Sequence, residues 1–76
     1  MNSRTVHTEA VYDELRRIEG EVVQGERQLA EQEALLVALQ RQNKDTRKVR
    51  EELEGMLTQQ REREHERQRL LSLLHP

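Results

Sequence analysis

The sequence predicts an all-α chain: an antiparallel two-helix hairpin of coiled-coil type that dimerises into a four-helix bundle. Three observations carry this. Apolar residues recur in steps of three, four and seven. A polar break interrupts them near mid-chain, at Gln42-Asn43-Lys44-Asp45-Thr46. The halves on either side of the break mirror each other in polarity.

Composition excludes most alternatives. With 76 residues there is room for one small domain. No apolar run of about 18 residues exists to span a membrane. Cysteine is absent, which removes disulfides, thiolate metal sites and cysteine nucleophiles. One Pro and three Gly are too few for a many-stranded β fold. Charged residues make up 37%, which raises the question of disorder. The net charge of only −2 and the apolar periodicity argue against it.

Residues 1–7 read as a flexible N-terminus without the apolar stretch of a secretory signal. The chain also lacks a myristoylation glycine and a prenylation cysteine, so the expected location is cytoplasmic. The first helix is expected over residues 8–42. Its stripe runs Val11, Leu15, Ile18, Val22, Gly25, Leu29, Gln32, Leu36 and Leu39, the d and a positions of a heptad. Gly25 falls on that stripe, where close helix approach is its natural use.

The turn is expected at residues 43–45. Asn43 tolerates the left-handed conformation that closes a helix. The carboxylate of Asp45 suits the N-cap of the next one. The second helix is expected over residues 46–74. Continuing the same lettering gives it Arg50, Leu57, Glu64 and Leu71 at a, and Thr46, Leu53, Gln60, Arg67 and Leu74 at d. From Gln60 to Arg69 no apolar residue occurs. Glu and Arg alternate three apart there, as on an exposed helix.

One continuous helix in a parallel coiled coil is the alternative, with Asn43 as the register-setting polar residue. Folding about residue 44 instead sets Leu39 against Val49, Leu35 against Leu53, Ile18 against Leu70 and Leu15 against Leu73. The polar run then faces the equally polar residues 19–28. The parallel coil would place Arg50, Glu64 and Arg67 against copies of themselves. Charge leans towards the hairpin too: residues 1–42 carry five Arg and eight Asp/Glu, and residues 43–76 carry eight Lys/Arg and seven Asp/Glu.

The string Gly25-Glu26-Arg27, Ala30, Gln32-Glu33 and Leu35, continuing to Leu39 and then Asp45-Thr46, resembles a group of small uncharacterised helical-hairpin proteins of soil and symbiotic alphaproteobacteria. Arg67 and Arg69-Leu70 are similar to the closing segment of that group. The match covers about residues 20–71. The chain departs at the break, where Asn43-Lys44 stands in place of Gly-His; Asn still supplies the left-handed cap. The resemblance implies a bacterial source and a helix–break–helix fold, and no activity.

No constellation of residues carries catalysis, a metal or a cofactor. His7, His65 and His75 lack the i, i+4 partner of a helical zinc pair. The carboxylates have no cleft to shift their pKa values. Arg61, Arg63, Arg67 and Arg69 are offset by Glu62, Glu64 and Glu66, and no aromatic interleaves them, which argues against direct nucleic-acid binding. Leu70-Leu71-Ser72-Leu73-Leu74 has the Leu-x-x-Leu-Leu spacing but reads as the last buried turn of the second helix.

Leu35 to Leu39 are five consecutive apolar residues, more than one partner helix can cover. Self-association is the expected remedy, through Leu29, Leu35, Leu36, Leu39, Val49, Leu53 and Leu57. The expected function is therefore a non-enzymatic structural or interaction module, a homodimer or a dock for a helical protein. A nucleic-acid-associated regulator is the alternative.

Overall fold

The computed structural model of the chain describes residues 3–75, with side chains from residue 7 onward. It contains two helices, α1 (Ser3–Arg41) and α2 (Arg47–Leu74), packed antiparallel as a hairpin. The chain folds back rather than continuing as one helix. α1 begins at Ser3 rather than at residue 8; residues 1 and 2 of the expected flexible segment lie outside the described residues. At 1.5 Å per residue α1 is about 58 Å long and α2 about 42 Å. The molecule measures 63 × 15 × 14 Å. No helix among the described residues is long and apolar enough to cross a membrane.

The turn is built by local backbone chemistry. Asn43 has φ 53°, the left-handed conformation. The Lys44 N–H then reaches the Leu39 carbonyl (2.9 Å) and the Asn43 N–H reaches that of Gln40 (3.1 Å). Together these are the paired bonds of a Schellman motif, and they satisfy carbonyls that the end of α1 would leave open. On the other side, the Thr46 carbonyl accepts the Arg50 N–H (2.9 Å), so Thr46 rather than Asp45 is the N-cap by backbone geometry. The Thr46 hydroxyl makes no capping bond. Asp45, one residue earlier, does that work: its Oδ1 accepts the Arg47 N–H (3.0 Å). The Arg47 guanidinium also binds this carboxylate.

The seam of α1 follows the expected stripe, with Val11, Leu15, Ile18, Val22 and Gly25 buried. The seam of α2 departs from the continuous lettering. Its d set carries over, but its a set is replaced by residues one place earlier: Val49, Met56, Arg63 and Leu70. Arg50, Leu57 and Glu64 are exposed. The cause is the turn, whose non-helical residues do not advance by 100° each, so the helical phase restarts after it.

The register is displaced as well. Gly25 lies opposite Gln60, and the core cluster sets Val11, Leu15 and Ile18 against Leu70, Leu71 and Leu74. Facing residues therefore sum to about 85 instead of 88. The Schellman closure reverses the chain around Gln42 and Asn43, earlier than residue 44. Leu35 and Leu73, expected to face Leu53 and Leu15, are 45% and 47% exposed instead. In this register residues 3–10 of α1 extend past the end of α2.

Candidate association surface

The two halves of the hairpin are packed unequally. In the half away from the turn, Val11, Leu15, Ile18, Val22 and Leu70 are each 8% exposed or less. Leu71 and Leu74 close over this cluster, so the expected buried last turn holds for Leu70 and Leu74 of the Leu-x-x-Leu-Leu segment but not for Leu73, which is exposed because it lies one step off the seam. Long side chains also lie along the seam here. Glu21, Arg63, Glu66 and Arg67 are half-buried, and Arg67 Nε is enclosed there.

A polar layer separates this half from the turn. Gln60 is buried, and its Nε2 donates to the Val22 carbonyl (2.8 Å) across the helix pair. Its Oε1 accepts from Arg63 Nη1 (3.1 Å). Gly25 makes the layer possible: a Cβ there would stand 2.0 Å from Gln60 Oε1. Sequence reasoning placed Gln60 in an exposed polar run and missed this role. The signal was present in its d position, facing Gly25 on the stripe of α1, and was outweighed by the polar run around it.

Towards the turn no large aliphatic side chain is buried. Leu29, Leu36, Leu39, Val49, Leu53 and Met56 point along the seam yet stay half-buried. Leu35, Val37 and Leu57 flank them and are exposed. All seven residues expected at the interface thus keep apolar surface open to solvent, Leu35 and Leu57 most. Gln32 is the polar link in this half, donating to Glu52 Oε2 (3.0 Å).

The electrostatics are those of a solvated surface. Asp45 is held below its ordinary carboxylate range by the hydrogen bond from the Arg47 side chain and then by the Arg47 backbone N–H. Glu66 is lowered by its hydrogen bond from Arg69. Arg17 is raised, first by its hydrogen bond to Glu14. The surface depressions lie on the outer side of α2 around Arg61 and His65, lined by side chains of that one helix. No group of three or more His, Asp or Glu placed to hold a metal occurs among the described residues. Comparison with protein-family models, with curated proteins and with solved structures returned no match to the chain.

Proposed function

We propose that the protein is a non-enzymatic interaction module whose turn-proximal half self-associates, as a homodimer forming a four-helix bundle. One observation supports this above the others: every large aliphatic residue of the turn-proximal seam remains partly open, while the far half closes its own core. Contiguous exposed apolar surface on a small chain marks an interface. A cytoplasmic setting and kinship with the alphaproteobacterial hairpin group belong to the same reading.

The test is sedimentation equilibrium at micromolar concentration. The wild-type chain is expected at twice its 9.1 kDa mass. Leu36→Glu places a charge in the open seam and is expected to yield a monomer. A folded wild-type monomer, with Leu36→Glu no different, contradicts the reading.

A further inference from the structure

The two broad faces of the hairpin differ in chemistry. One face satisfies its charges internally: Arg17 pairs with Glu14 and Glu21, Arg69 pairs with Glu66, and Gln32 binds Glu52. That face also exposes Leu35 and Leu73; the opposite face carries the other four exposed large apolar residues, Tyr12, Val23, Val37 and Leu57. Along it run three carboxylates of α1 at seven-residue intervals, Glu19, Glu26 and Glu33. None of them has an ion-pair partner among the described residues. The α2 side of this face presents Arg50 and Arg61 nearer the turn and the exposed Glu64 beyond them, so the charge complementarity lies at Glu26 and Glu33 rather than at Glu19.

We infer that a second copy covers this face, with the twofold axis along the length of the hairpin. Both turns then point the same way, and α1 of each copy lies over α2 of the other. This inference rests on the self-association proposed above and assigns its face and orientation. Charge selects the orientation. Turns at opposite ends would lay α1 on α1 and set each acidic row against its own copy, which like charges disfavour. With the turns together, residues summing to 85 share one height. Glu33 is then level with residue 52 and within two residues, about 3 Å along the axis, of Arg50 of the partner subunit. Glu26 stands in the same relation to Arg61 of the partner subunit. The interface is isologous, each contact occurring twice.

The chain has no cysteine, so Lys44→Cys in the full-length protein carries one spin label at each turn. Pulsed dipolar spectroscopy is expected to give a separation under about 30 Å, one bundle width plus the label arms. A longer separation overturns the orientation while leaving self-association standing. A monomeric mass with no dipolar coupling overturns both. The double variant Glu26→Lys, Glu33→Lys is expected to weaken the dimer at least tenfold. Mixing it with the Arg50→Glu, Arg61→Glu chain is expected to restore a heterodimer. An unweakened Glu26→Lys, Glu33→Lys dimer overturns the orientation, because α1 on α1 exchanges one like-charge row for another.

Discussion

At Gly25 two opposing costs meet in one residue. Glycine inside a helix is about 1 kcal/mol worse than alanine. An alanine there, however, would displace the Gln60 amide from the Val22 carbonyl. Breaking that bond and leaving buried polar groups unpaired costs about 1–3 kcal/mol. Gly25→Ala is therefore expected to destabilise by about 1 kcal/mol in the wild type. In a Gln60→Ala background only the mobile Arg63 Nη1 remains close, and the same change is expected to stabilise by about 1 kcal/mol. Chemical denaturation of the four chains of this cycle measures the coupling; additive values would contradict the packing account. Asn43 makes a simpler case. Asn43→Gly is expected to be neutral or slightly stabilising, since glycine enters the left-handed region freely, while Asn43→Ala is expected to lose about 1 kcal/mol. Asp45→Ala removes the bond to the Arg47 N–H and is expected to lower the melting temperature. Its pKa is depressed in the folded chain, so its contribution is present above the ordinary carboxylate pKa and fades as pH falls through the folded value. Arg47→Ala is expected to move the Asp45 titration upward, as followed by NMR.

At the scale of elements, α1 was legible because its periodicity is local: each apolar residue follows from the last by three or four. The turn was legible for the same reason, since Asn and Asp chemistry acts within a few residues. The phase of α2 was not, because it depends on the angle through which the turn rotates the chain. A continuous heptad therefore put Arg50, Leu57 and Glu64 where Val49, Met56 and Arg63 stand, while Gln60 and Arg67 kept their places on the seam. Unequal packing was illegible too. The longest apolar run, Leu35 to Leu39, pointed to the turn, yet the buried core formed at the other end. The residues beside the seam, such as Glu33, Arg50 and Glu52 near the turn and Glu21 and Glu66 beyond it, are long in both halves, so the heptad pattern carries no signal for the difference. Arg67 exposes the strain of a polar seam. Its Nε is buried and finds no partner among the described residues. Arg67→Leu should remove that unpaired donor and add apolar burial, raising stability by about 1–2 kcal/mol. Glu64→Ala, on the exposed side, should change it by less than about 0.5 kcal/mol. Equal effects of the two substitutions in thermal melts would contradict the assigned phase.

For the whole molecule, the fold poses a problem that one copy solves only in part. A two-helix hairpin 15 Å across buries only one stripe of each helix. Its far half closes a core on that stripe, and its turn-proximal half leaves leucine and valine in contact with water. If a second copy supplies the missing cover, folding and assembly are one reaction, and stability must depend on protein concentration. The melting temperature of the wild-type chain across a hundredfold range of concentration is therefore the most direct measurement. The account predicts a melting temperature that climbs steadily with concentration, and a Leu36→Glu chain that melts lower with no such dependence. A wild-type melting temperature constant over the whole range would mean that the open seam is stable as it stands, and would contradict the claim that association completes this protein.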